Sequence, residues 1–362
     1  MKRFVLPVLL SCLLIAGSRA EDWPLFRGDP VQTGVSPAKL PDKLKIRWKF
    51  ATKDAIEGSA AIVDGVVYVG SYDERLYAID LKTGQEKWKT GKLGPFKAAP
   101  AVKNGKVYIG DSNGDFHCVD AVQGKADWKF GTMGEITSGA NFFDDRILIG
   151  SHDETLYCLD TKGNSIWTFK TQGPVNGSPA VASGKTFVAG CDSNLHVIDI
   201  KTGKEEFAVD LGGQAGATAA VLGDEVYVGT MNNEFLAVNL KTQKVAWRFM
   251  APKRPQAFYS SAAVTSDMVV VGSRDRKVYG LDRVKGTATW EFITGGRVDS
   301  SPVIVGKRAY VGSLDKDFYV FDLQTGQLIE SLTLDGAISA SPAVANGCVV
   351  IGTEKGTVYC LE

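Results

Sequence analysis

The sequence predicts an all-β fold: an eight-bladed β-propeller of four-stranded antiparallel blades, with the last blade closed by an N-terminal strand. Three observations predict it. One block of text returns about every 40 residues, each copy divides into short strands separated by turn residues, and the first and last copies are incomplete in complementary ways. A period of about 40 residues with several short strands per period marks propeller blades.

The period is read from aligned residues. Ser59 to Gly70 reads SAAIVDGVVYVG, followed by SYDERLYAID to Asp80, LKTG to Gly84 and QEKW to Trp88. The glycine of VYVG returns as Gly110, Gly150, Gly229, Gly272, Gly312 and Gly352, with Ala189 in the fourth copy. The acid of LYAID returns as Asp120, Asp160, Asp199, Asp282, Asp322 and Glu362, with Asn239 in the fifth. Within a copy, AAIV or SPAV is the first strand, VVYVG the second, RLYAID the third and EKWKT the fourth. Asp64-Gly65 and Asn104-Gly105 are hairpin turns whose glycine accepts the positive φ that the turn requires. Lys-Thr-Gly closes the third turn for the same reason.

The closing strand is read from a tryptophan. The fourth strand carries Trp88, Trp128, Trp167, Trp247 and Trp290, with Phe207 and Glu330 in the fourth and seventh copies. Trp48 lies one period before Trp88 with no earlier strands ahead of it, and the last copy stops at Glu362 before any fourth strand. Ile46–Ala51 is therefore predicted as the outer strand of blade eight, which removes two open sheet edges. The chain divides into a signal peptide at 1–20, a lead-in at 21–44 and the propeller at 45–362.

Lys2 and Arg3, the apolar run from Phe4 to Ala16, and Ser18-Arg19-Ala20 together read as a Sec-type secretory signal cleaved after Ala20. The run is too short for a permanent anchor, and no other long apolar stretch follows, so no transmembrane segment is expected. A periplasmic or secreted location follows. The 41 bases balance 41 acids, which gives no electrostatic reason to expect nucleic acid as a partner. Beyond Cys12, the cysteines are Cys118, Cys158, Cys191, Cys348 and Cys360. An odd number without CxxC spacing speaks against a disulfide framework and against a zinc site.

The segment Ala78–Trp88, AIDLKTGQEKW, resembles the tryptophan-docking motif A-x-D-x-x-T-G-x-x-x-W of quinoprotein propellers, and it recurs in register over about residues 45–362. The chain thus resembles the PQQ-repeat, quinoprotein-like family, BamB-like in size and blade number. The opening Trp23-Pro-Leu-Phe-Arg-Gly28 resembles the W-x-x-F-R-G start of secreted PQQ-like propellers. The resemblance implies structural docking roles for Trp48, Trp88, Trp128, Trp167, Trp247 and Trp290, which lock neighbouring blades.

Four up-and-down strands put the second turns and the blade-to-blade links on one face. These segments vary between blades, as functional loops do. One ring of positions lies at the mouth of the inner strands: Glu57, Lys97, Thr137, Asn176, Gly216, Tyr259, Asp299 and Ser339. A second ring occupies the second turns: Tyr72, Ser112, His152, Cys191, Met231, Arg274, Leu314 and Glu354. One reading is a funnel that binds a small ligand or a protein partner. The other is solvated turn residues around a water-filled channel.

Neither a three-ligand metal cluster nor a Ser-His-Asp triad is legible in the three histidines. The leading expectation is a non-catalytic binding or protein-interaction scaffold of the cell envelope, monomeric and without a cofactor. The alternatives are a small PQQ- and calcium-dependent oxidoreductase, in which Glu57, Asn176 and Asp299 would ligate the cation, and a carbohydrate- or peptide-binding propeller using Tyr72, Phe258 and Tyr259 as platforms. No paired adjacent cysteines accompany the quinoprotein reading.

Overall fold

The computed structural model describes residues 21–253 and 255–362; the signal sequence predicted at 1–20 lies outside them. The chain forms eight antiparallel sheets, the eight blades of the predicted ring. Blade one is Ala61–Val63, Val66–Gly70, Leu76–Asp80 and Glu86–Lys89. The middle two strands are buried on both faces because each blade is covered by a neighbour on either side. They therefore read as almost unbroken apolar runs, while the outer strand alternates.

Blade eight is closed as the sequence predicts. Ile46–Ala51 pairs antiparallel with Thr357–Leu361, with Trp48 opposite Cys360 and Phe50 opposite Val358. The Lys45 and Glu362 backbones exchange two further hydrogen bonds of 2.7 and 2.9 Å.

The tryptophans explain the Lys-Thr-Gly turns. Each indole reaches from an outer strand to the third turn of the next blade. Trp48 Nε1 donates to the Leu81 carbonyl at 2.8 Å, and Trp290 Nε1 to that of Leu323 at 2.9 Å. The indole face lies where the turn glycine's Cβ would be: an added Cβ on Gly84 would sit 2.7 Å from Trp48, and one on Gly326 2.5 Å from Trp290. The exceptions in the repeat obey the same rule. Blade five has Gln243 in place of that glycine, at φ 55, and the preceding blade offers Phe207 in place of tryptophan. Glu330, at the position of the missing seventh tryptophan, faces no third turn; its Oε2 instead accepts the Leu44 N–H at 3.0 Å.

The lead-in is part of the ring. Inner strands present unpaired backbone groups to the channel, and residues 23–36 satisfy them one blade after another. Trp23 exchanges two bonds with Ile62 of blade one, and Val102 N–H donates to the Pro24 carbonyl. Val181, Val221, Val264 and Ile304 donate in turn to the carbonyls of Pro30, Val31, Thr33 and Gly34. Asn141 Nδ2 serves blade three by donating to Pro30 at 2.7 Å. Val35–Ser36 then adds a parallel strand to blade seven. These contacts fall two residues before the first turn, so the segment plugs the channel toward the first-turn face.

Candidate functional site

The opposite face is open. Its mouth is built on a repeated anchor: the residue before each mouth position (Ile56, Phe96, Ile136, Val175, Ala215, Phe258, Val298, Ile338) is fully buried. Each packs on the VYVG glycine of the preceding blade, where a Cβ would come within 2.5 Å of Phe96 at Gly70 or 2.1 Å of Ile136 at Gly110. Ala189, which replaces that glycine, shares a core cluster with the smallest anchor, Ala215. With the anchors fixed, the following side chains converge on the channel. All eight mouth positions line one cavity of about 460 Å³, together with His152 and Arg274 of the second-turn ring and with Phe26 of the plug as its floor.

Below the mouth runs a belt of hydroxyls. Gly139 N–H donates to Ser178 Oγ, Ser178 to Thr218, Thr218 to Ser261, Ser261 to Ser301 and Ser301 to Ser341, each at 2.8–3.0 Å. Ser59 Oγ then donates to the Ser341 carbonyl at 2.7 Å. The small residues that convergence requires therefore also cross-link neighbouring blades. Blades two and three, with Ala99 and Gly139 at this position, contribute no hydroxyl.

The two predicted rings meet within individual blades. Tyr72 Oη donates to Glu57 Oε2 at 3.1 Å, His152 Nε2 lies 3.1 Å from Thr137 Oγ1, and Asn176 Nδ2 contacts Cys191 Sγ at 3.0 Å. Met231 and the Tyr259 ring both press on Gly216, where a Cβ would lie 2.8 Å and 3.2 Å from them. Arg274 stacks on the Tyr259 ring, 3.6 Å from its centroid, and grips Asp299 with Nε and Nη2 at 2.9 Å each. That grip holds the guanidinium above its ordinary pKa, against the pull of burial. Sequence reasoning missed Glu135, which lies in the link before Thr137. It accepts from Ser112 Oγ at 2.7 Å, pairs with Lys97 Nζ at 3.0 Å and lies 3.8 Å from His152 Nδ1. It also missed Phe26, whose place under the funnel follows from the threading of the plug.

The electrostatics divide the mouth. Burial pushes the Glu57 carboxyl up, opposed by the Tyr72 hydroxyl and by Lys97, and the neighbouring carboxylates Glu354 and Glu135 add to the rise. Lys97 belongs to Glu135, so the wall of blades eight and one keeps an acidic excess, while Arg274 and Asp299 neutralise each other across the funnel.

The other histidines are structural. His117 Nε2 bonds Asp111 at 2.7 Å, and His196 bridges Asp192 and Glu205 at 2.7 and 2.6 Å. The second-turn acids cap turns: Asp73 accepts from Tyr77 Oη and from the Lys53 N–H of the preceding link. All five described cysteines are free. Phe258, named as a platform, is a fully buried core residue because it is the anchor before Tyr259.

The fold and this mouth define a class: a β-propeller of PQQ-like repeats with a channel open at one face and plugged at the other. The chain belongs to the family described as "Outer membrane protein assembly factor BamB", whose model matches residues 42–140, 117–212 and 206–362. Solved structures share the architecture at low identity. BamB from Moraxella catarrhalis is 17% identical, with a TM-score of 0.75 over 88% of this chain and 100% of that one. The quinohemoprotein alcohol dehydrogenase of Comamonas testosteroni is 15% identical, with a TM-score of 0.81 over 94% of this chain and 80% of that one. In sequence, a stretch of 124 residues is 32% identical to the serine/threonine-protein kinase AfsK of Streptomyces griseus, covering 32% of this chain and 15% of the kinase.

Proposed function

We propose that the protein is a binding scaffold of the cell envelope that receives a protein partner at the open mouth and performs no chemistry there. The observation that carries this reading is the blind funnel. Most of its charged and polar side chains are tied to one another, with Ser339 Oγ and Asn176 Oδ1 left without partners, and its floor is a phenyl ring. Such a surface presents a fixed shape with an acidic wall to a docking segment. Membership of a family described by outer-membrane protein assembly supports a protein partner and an envelope location. Among the described residues no helix is long and apolar enough to cross a membrane.

Two of the three candidate calcium ligands in the funnel are already engaged, which speaks against a calcium–quinone site. Asp299 is held by Arg274 and Glu57 by Tyr72, while Asn176 is tied to Cys191 through Nδ2 alone and keeps its Oδ1 buried without a partner. Among the described residues the one cluster of three His, Cys, Asp or Glu side chains is Asp111, Asp115 and His117, none of which lines the funnel. The sequence has no adjacent cysteines.

The test is site-specific photo-crosslinking in intact cells, with the crosslinker at Tyr259 or Thr137 and a control at Lys307 in a first turn. A discrete adduct with an envelope protein, formed from the mouth and lost in Glu57→Lys, is expected. No protein adduct from the mouth, or saturable calcium-dependent thermal stabilisation by PQQ, would overturn the reading.

A further inference from the structure

The plug contains a cation without a counter-charge. Arg27 is fully buried inside the ring, 1% exposed. Its Nη2 donates to two carbonyls of the inner strands' approaches, Ala262 at 3.0 Å and Pro302. Among the described residues, Nε and Nη1 have no hydrogen-bond partner, and no carboxylate lies within ion-pair distance of the guanidinium. Asp29 is the nearest acid and acts on Arg27 only through space. Its two oxygens are taken by the Thr33 N–H, at 3.1 Å, and the Thr33 hydroxyl.

A second side chain of the plug, in the following turn, is equally unsatisfied. Gln32 is wholly buried, and both atoms of its amide lack partners. Arg27 and Gln32 both adopt left-handed backbone conformations, φ 64 and 65. Such conformations are strained for residues other than glycine and persist where the surroundings enforce them. The plug thus accepts strain at two positions whose side chains it then buries without partners.

Leaving a charged group buried and unpaired is among the most costly arrangements in a folded protein. Burial alone pulls Arg27 down to about 9, even with Asp29 opposing the shift. A water molecule would accept one or two of the free N–H groups and bring no charge. An anion would satisfy them and neutralise the guanidinium. Nη2 itself is closely packed, since an added Cβ on Gly34 would overlap it.

We propose that the plug holds a monovalent anion of halide size on Arg27 Nε and Nη1, with the Gln32 side-chain N–H as a further donor. The site is internal and separate from the mouth. Its anion enters as the plug seats, so it stabilises the closed ring and takes no part in partner capture.

The experiment uses the purified chain, unfolded and refolded in sodium gluconate and then titrated with sodium bromide at constant ionic strength. The melting temperature should rise with bromide and saturate, as ligand linkage requires. Gln32→Leu should fold and need about tenfold more bromide for the same rise, the worth of one charge-assisted hydrogen bond. Arg27→Met should lose the bromide dependence. If that variant does not fold, bromide crystals of the unaltered protein decide, with an anomalous peak expected beside Arg27 Nε and Nη1. A melting temperature that ignores bromide, an equal response in Gln32→Leu, or a peak elsewhere with only water at Arg27 would overturn the proposal.

Discussion

Blade four invites a repair that tests the docking logic directly. Phe207 stands where other blades place tryptophan, and the turn it faces carries Gln243 at φ 55. At the six turns that meet an indole, the position a Cβ would take lies between 2.3 and 2.7 Å from the ring. Phe207→Trp alone should therefore drive an indole into the Gln243 side chain and destabilise by about 1–3 kcal/mol, the usual cost of overpacking. Gln243→Gly alone should be nearly neutral, because relief of left-handed strain offsets the extra freedom of glycine in the unfolded chain. Together they should rebuild the motif. The indole would cover the turn, and its Nε1 would reach the Leu240 carbonyl, 33 residues on as from Trp167 to Ile200. One hydrogen bond contributes about 1 kcal/mol, and the added ring area roughly as much again. The double variant should thus melt above the unaltered protein, with a coupling of about 3–5 kcal/mol between the sites, at or above the top of the range for touching pairs. Differential scanning calorimetry of the four proteins reads this as a shift of roughly 2 °C per kcal/mol. Additive effects, or a harmless Phe207→Trp, would refute the claim that glycine is there for the indole.

Other expectations follow from single contacts. Ala99→Ser should supply one of the two missing hydroxyls of the belt and raise the melting temperature by the worth of about 1 kcal/mol; a decrease would show that the gap is required. Glu330→Ala should cost about 1–2 kcal/mol by stranding the Leu44 N–H, measurable as faster proteolysis before residue 46. His196 has its pKa raised: burial works against the charge, but Asp192 and Glu205 outweigh it. Its contribution to stability is therefore complete below the ordinary histidine pKa and is lost as pH rises through the higher folded value. Melting curves from pH 5 to 9 should show that loss, and His196→Tyr, the residue other blades use there, should abolish it. Arg274→Ala should free Asp299 and bare the Tyr259 ring without unfolding the blade, and should change the yield of crosslinks from Thr137; an unchanged yield would place the partner elsewhere.

Blade number, strand order and ring closure were legible because they are periodic. An eightfold repeat makes each residue's role readable from its copies, and Trp48, out of place by one period, disclosed the closing strand. The mouth positions were legible for the same reason, since buried anchors one residue earlier fix where they point. What periodicity cannot show is contact between unlike positions. The Arg274–Asp299 grip, the role of Glu135 and the pairing of the two rings depend on side chains that differ from blade to blade. The plug was least legible, because residues 23–36 occur once and their partners are backbone groups. Phe258 misled because an aromatic in a long link resembles a platform, whereas the repeat places it at an anchor.

The closing strand also constrains when the molecule can take shape. Arg47 and Glu362, joined by a 2.8 Å ion pair, are 315 residues apart in the chain. During synthesis the segment that plugs the channel and seals the last blade is made well before the strand that receives it. Every intermediate length has an unsatisfied leading segment and an open edge, features that invite pairing with other chains. The architecture therefore lets the ring shut only once Thr357–Leu361 is available to Ile46–Ala51.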